Sequence, residues 1–113
     1  LPDGQTLFLT SAAAAPPYPD GQTAVLVDSG KLVFPLQLRT WKPGDSFQPF
    51  GMGGQVQKLQ DFFTHQKLSR LEKDRTWLLL NGDGAIIWVV GFRLDERFKV
   101  VSETDKILKM SIL

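Results

Sequence analysis

The chain has 113 residues, 42% hydrophobic and 22% charged, which suits one globular domain large enough for a single core. Cysteine is absent, which excludes disulfides and thiolate metal sites and is compatible with a reducing cytoplasm. With 13 Lys and Arg against 12 Asp and Glu the formal net charge is only +1, so any affinity for nucleic acid must come from clustering of basic residues.

The longest apolar run, residues 85–91, is far too short to span a bilayer, and no charged segment followed by an apolar one opens the chain. Leu1 stands where an initiator Met would, which suggests a processed chain or a piece of something longer. The pentapeptide Pro-Asp-Gly-Gln-Thr occurs at Pro2 and again at Pro19, each time ahead of an apolar, strand-like run; two similar turn starts explain this without a repeat architecture. Between them, Ala12-Ala13-Ala14-Ala15-Pro16-Pro17 reads as a connector, because the prolines stop any helical turn. Residues 1–23 are therefore expected to be an N-terminal strand and an Ala/Pro connector, and residues 24–113 the domain itself.

Residues 24–27 and 31–34 predict two strands joined at Asp28-Ser29-Gly30. From Leu36 onward Leu36, Leu38 and Thr40 alternate with Gln37, Arg39 and Trp41, the pattern of a half-buried strand with a usable outer face. The chain then turns at Lys42-Pro43-Gly44-Asp45, passes Gly51-Met52-Gly53-Gly54, and starts an amphipathic helix. Val56, Leu59, Phe62 and Phe63 are its apolar stripe, with Lys58, Asp61 and His65 opposite. Ser69 with Glu72 three residues on predicts a capped short helix to Asp74. Residues 77–80 and 85–92 pair as a hairpin across Asn81-Gly82-Asp83-Gly84, and the unbroken apolar run 86–90 belongs at the centre of the sheet, covered on both faces. Strands over 97–101 and 107–112 complete an α+β fold: a small, mainly antiparallel sheet domain with one principal amphipathic helix after a Gly-rich turn.

Several constellations bear chemistry. Glycines at 53 and 54 let the backbone approach a ligand, and a helix start there would present unpaired N–H groups to a phosphate. The plainer account is that they only turn the chain; neither a P-loop nor a dinucleotide fingerprint is present. Arg39 and Lys42 flank Trp41, so cations can grip phosphate while the ring stacks on a ribose or base. Trp41 packing under a neighbouring loop and Arg39 pairing with Asp45 is the alternative, and both hold together if Asp45 orients Arg39. Arg93, Arg97 and Lys99 would form a basic row if the strand runs through, but Asp95 interrupts it and leaves a mixed-charge solvated face equally open. Lys67, Arg70, Lys73 and Arg75 are diluted by Glu72 and Asp74. His65 is the single histidine, so neither a zinc site nor a Ser-His-Asp triad is expected, and Asp95 and Glu96 would face opposite sides of a strand. No catalytic site emerges.

The order of Arg39, Gly44-Asp45, Pro49-Phe50-Gly51-Met52 and a basic helix ending in Asp61-Phe62-Phe63 resembles the C-terminal domain of tRNA(Ile)-lysidine synthetase. The likeness continues through Glu72-Lys73-Asp74-Arg75, Trp77-Leu78-Leu79, Ile87-Trp88-Val89-Val90-Gly91 and the stretch from Arg93 to Val100, covering about residues 24 to 104. It implies a non-catalytic, cytoplasmic domain that contacts the acceptor stem of an isoleucine tRNA with a CAU anticodon. The parent would be a ligase that uses ATP and magnesium to convert the wobble cytidine to lysidine; this chain lacks the Ser-Gly-Gly-x-Asp-Ser loop of that chemistry and holds no cofactor itself. Carried onto this sequence, the tRNA-binding positions are Arg39, Trp41, Lys42, Gly53, Gly54, Lys58, Arg75, Arg93 and Arg97. Gln55 and Gln57 stand where family members often place basic residues. The other domains of the parent and a second copy, forming a homodimer, are the protein partners implied, with no membrane. The rival expectation is an interdomain or subunit contact module without RNA, using Trp41, Phe47, Phe50 and Trp77 as an apolar patch.

Overall fold

The computed structural model describes residues 5–13 and 21–112. Strand β1 (Leu7–Ala12) and β2 (Ala24–Asp28) flank the C-terminal strand β9 (Ile107–Ile112) in a three-stranded antiparallel sheet, with Leu7 opposite Ile112 and Ala24 opposite Ser111. A four-stranded sheet has the order β3 (Gln37–Thr40), β6 (Trp77–Leu80), β7 (Ile86–Val89) and β8 (Arg93–Leu94). A small ribbon pairs β4 (Ser46–Phe47) with β5 (Gln57–Lys58), leading directly into helix α1 (Leu59–His65); α2 (Arg70–Asp74) follows.

The central place of β7 follows from its sequence: all four residues are buried, and apolar packing covers both faces. On one side Leu79, Ile87 and Trp88 pack with Val25, Val27 and Met110 of the three-stranded sheet. On the other, Leu78, Leu80 and Val89 pack with Phe47 and with Leu59, Phe62 and Phe63 of α1. Phe47 meets Phe62 edge to face at 5.1 Å between ring centres, so the aromatic stripe of α1 locks the ribbon to the sheet. The mainly antiparallel α+β fold with one principal helix is as the sequence predicts, and so is the capping box, in which the Ser69 hydroxyl accepts from Glu72 N–H at 3.1 Å and Glu72 accepts from Ser69 N–H at 3.2 Å. Among the described residues no helix is long and apolar enough to cross a membrane.

Four local expectations give way. Residues 31–34 form no strand: Asp28 accepts the Gly30 N–H at 2.9 Å and caps a 3-10 turn, Ser29–Lys31, while β2 pairs with β9 instead. The segment after the turn docks on the β6–β7 connection, where Asn81 Oδ1 takes Val33 N–H and Gly82 N–H donates to Val33 O, both at 2.6 Å. Residues 97–101 form no strand either, because Asp95 caps a second 3-10 turn, Glu96–Phe98. Leu38 is not covered: β3 is an edge strand, and Leu38, opposite Leu79, stays 37% exposed where it borders an open apolar groove. Helix α1 begins at Leu59 and not after Gly54, leaving Val56 outside it and 67% exposed. Residues 14–17 of the expected Ala/Pro connector lie outside the described residues.

Candidate nucleic-acid interface

The turn after β3 is built around one carboxylate. Asp45 N–H donates to Lys42 O at 3.1 Å, and Asp45 Oδ2 accepts Lys42 N–H at 2.7 Å. Arg39 reaches across with Nη1 to Oδ2 at 2.8 Å and Nη2 to Oδ1 at 2.9 Å, a two-pronged geometry natural to a guanidinium. Partial burial works to raise the Asp45 pKa, but the Arg39 hydrogen bonds and the Lys42 N–H outweigh it and hold the carboxyl below its ordinary range; Arg39 is raised in turn. The Asp45 carbonyl also accepts the first N–H of α1, from Leu59 at 2.8 Å, so the turn fixes where the helix starts.

A second pair repeats the design. Asp95, fully buried, accepts from Arg97 Nε and Nη2 at 2.9 Å each and from the backbone N–H groups of Arg97 and Gln48 at 2.8 and 2.9 Å. Arg39 and Arg97 thereby both line one small polar cavity of about 180 Å³, which Gln48, Val56 and Gly84 also line. The proposed basic row over Arg93, Arg97 and Lys99 is not continuous, because the strand stops at Leu94; Lys99 instead pairs with Glu96.

The Gly-rich segment is a pinned loop. Phe50 N–H donates to Leu94 O at 2.9 Å, Gly51 N–H to Glu96 Oε1 at 3.0 Å, and Met52 N–H to Pro49 O at 3.2 Å. The Lys99 and Gly51 donors hold the Glu96 carboxyl below its ordinary range. Gly51, Gly53 and Gly54 all have positive φ, 91°, 65° and 86°, so the glycines are required by the loop's own path. Their N–H groups belong to this loop and not to a helix start, which corrects the sequence expectation. Exposed Lys58 occupies the N-cap of α1, with no side-chain cap bond.

The other predicted positions are spread around this loop and turn. Arg93 Nη1 donates to Phe50 O at 3.4 Å and its guanidinium lies 5.8 Å from the Phe62 ring centre. Trp41 is engaged: its ring meets Phe63 edge-on at 5.8 Å, its Nε1 donates to Asp74 at 3.1 Å, and Lys73 Nζ lies 5.1 Å from the ring centre. Arg75 is the C-cap of α2, the helix whose Lys73 and Asp74 contact Trp41. Among the described residues Lys42, Lys58, Arg75 and Arg93 carry no ion pair, whereas Arg39, Arg97 and Lys99 do. His65 bonds Gln57 at 3.0 Å on an exposed surface. The suggested apolar patch is not one surface: Phe47 is buried, Trp41 and Trp77 are half-buried, and only Phe50 is exposed. Sequence reasoning passed over Asp95 and Glu96 as organisers of the site, although an Asp two residues before an Arg at a strand end is the pattern of a capping carboxylate.

Comparison with known proteins agrees with this architecture. Residues 36–111 match the family model described as the TilS substrate C-terminal domain. The chain is 55% identical over 87 residues to the tRNA(Ile)-lysidine synthase of Parabacteroides distasonis, covering 77% of this chain and 19% of that protein. It is 37% identical over 86 residues to that of Bacteroides thetaiotaomicron, covering 76% and 20%. The chain thus spans about a fifth of the length of the curated relatives it matches. A crystal structure of a TilS C-terminal domain superposes with a TM-score of 0.83 at 27% identity, covering 99% of this chain and 85% of that one. An N-terminal fragment of the phenylalanyl-tRNA synthetase beta-subunit from Pyrococcus horikoshii shares the fold alone, at 16% identity and a TM-score of 0.63 over 81% of this chain and 28% of that one. The chain belongs to the family of tRNA(Ile)-lysidine synthase C-terminal domains.

Proposed function

We propose that residues 24–113 form a tRNA-binding unit that grips the acceptor stem of an isoleucine tRNA with a CAU anticodon. The parent enzyme would be a cytoplasmic ligase that converts the wobble cytidine to lysidine with ATP and magnesium, in its other domains. The observation that carries the reading is the convergence of Arg39 and Arg97, each aimed by a carboxylate, on one polar cavity next to the pinned loop. Arg93 and Lys58, free of ion pairs among the described residues, extend the cationic surface, with Lys42, Trp41, Arg75 and the Gly53-Gly54 loop as flanking contacts. Such a surface reads the backbone and shape of an A-form stem: phosphate contacts fix register and carry little sequence information. Titrating the chain with an acceptor-stem hairpin and with an anticodon stem-loop of the same tRNA tests this. Binding that favours the first supports the reading; equal binding of both removes the acceptor stem from it.

A second reading, a contact module packing on other parts of a longer protein or on a second copy, is favoured by a different face. Leu7, Leu9, Phe34, Leu36 and Leu38 line an open apolar groove of about 670 Å³ between the edge strands β1 and β3. The two readings use separate surfaces and are compatible.

A further inference from the structure

We infer that Phe50 is a stacking platform for a base at the end of the bound RNA stem, an inference that rests on the RNA-binding reading above and names a specificity-determining contact within it. Phe50 is 47% exposed and makes no ring contact with another aromatic among the described residues. A large ring left in water is ordinary on a mobile loop; this loop is held on both sides of the ring. Phe50 N–H is bonded to Leu94 O, Pro49 bridges to Asp95, Gly51 N–H is held by Glu96, and Phe50 O receives Arg93. An aromatic presented on a fixed backbone loses little freedom when a base stacks on it, which is the condition for such a contact to be favourable.

The neighbouring charge chooses the partner. Arg93, whose guanidinium donates to the Phe50 carbonyl, has no carboxylate partner among the described residues, so the loop that carries the exposed ring also carries an unneutralised cation. A nucleotide offers the complement of both, a phosphate and a π-face within one residue's span. Trp41, the residue in which the sequence suggests stacking, is already committed to Phe63, Asp74 and Lys73. Phe8 and Phe34 are also exposed, but Phe34 lines the apolar groove, and among the described residues neither has a cationic side chain bonded to its backbone as Arg93 is to that of Phe50. Among the described residues Phe50 alone combines exposure, a fixed backbone and an unneutralised guanidinium bonded to its own loop.

The test is fluorescence anisotropy of labelled acceptor-stem hairpins, with and without an unpaired 3′ end, titrated with the 113-residue chain and its variants at several salt concentrations. Phe50→Ala is expected to weaken binding by roughly 5- to 150-fold, the span of one base–aromatic stack, while leaving the dependence of log affinity on log salt unchanged. Phe50→Trp should keep wild-type affinity; Phe50→Leu, which retains apolar volume without a π-face, should lose nearly as much as Ala. Arg93→Ala should instead flatten the salt dependence by about 0.7 to 0.9. Wild-type affinity in Phe50→Ala, or full rescue by Leu, overturns the stacking role and turns the exposed ring into a protein contact, with the RNA-binding reading intact. No binding of either hairpin by the wild-type chain removes that reading and this inference with it.

Discussion

Asp95 holds Arg97 through both carboxylate oxygens at 2.9 Å while itself completely shut off from solvent. The same carboxylate takes the Gln48 N–H, so it joins the end of β8 to the strand that leads into the glycine loop. Asp95→Ala therefore strands a guanidinium and two backbone donors at once. It should lower stability by about 2 to 4 kcal/mol, less than a fully buried pair because Arg97 is partly solvated. Urea unfolding should show a reduced midpoint with an unchanged slope.

The acid limb of the stability curve should depend on Asp45 and Glu96. Both carboxyls are held below their ordinary values of 3.8 and 4.5 in the folded protein, Asp45 against the opposing effect of burial and Glu96 chiefly through Lys99. The folded state thus releases protons more readily than the unfolded chain, and the stability gained is fully present above those ordinary values. It is lost as pH falls through the depressed folded values. Between about pH 5 and about pH 3, thermal unfolding of Asp45→Asn and of Glu96→Gln should vary less with pH than that of the wild type.

Arg39→Ala removes the partner of a carboxylate that also ties the turn to α1, so it should cost about 1 to 2 kcal/mol and not be neutral as a purely outer-face residue would be. Differential scanning calorimetry beside Lys42→Ala, expected to stay within about 0.5 kcal/mol of wild type, separates the structural cation from the solvated one.

Lys58 gives folding and binding opposite signs. Its backbone angles, φ −67° and ψ 138°, suit an N-cap, yet its side chain is a cation at the positive end of a helix. Lys58→Asp should raise stability by about 0.5 to 1 kcal/mol and weaken RNA binding. Gly54→Asp would not make this test, because φ +86° strains any side chain there.

Gly82 and Gly84 divide by their surroundings. A Cβ at Gly82 would collide with the Val33 carbonyl and lie 3.1 Å from Phe34 O, both backbone, whereas one at Gly84 meets open space at φ +91°. Gly82→Ala should therefore destabilise by about 1 to 3 kcal/mol, and Gly84→Asn by less than about 1 kcal/mol, since Asn tolerates the left-handed region. Paired thermal melts decide it.

Much of the fold was legible because its signals are local. Ser69 and Glu72 at capping spacing, the hairpin glycines, and the unbroken apolar run of β7 each act within a few residues. What misled was also local: Asp28 and Asp95 read as turn or interrupting residues, yet each caps a 3-10 turn that ends a strand. Val56 fits the helical period and so suggests an earlier helix start, but the β4–β5 ribbon and Asp45 O decide where α1 begins. At the site, the Arg39–Asp45 pair was readable at a separation of one turn. The cavity shared by Arg39 and Arg97 was not, since it depends on β4 and the β6–β7 connection lining one space with them.

The central claim, that this domain holds RNA by phosphate contacts from Arg39, Lys58, Arg93 and Arg97, is tested most directly by the salt dependence of its affinity for an acceptor-stem hairpin. The wild type should show log affinity falling linearly with log salt, and each of Lys58→Ala and Arg93→Ala should flatten that line by about 0.7 to 0.9 while melting as the wild type does. Binding that is absent, or whose salt slope neither substitution changes, would contradict the account.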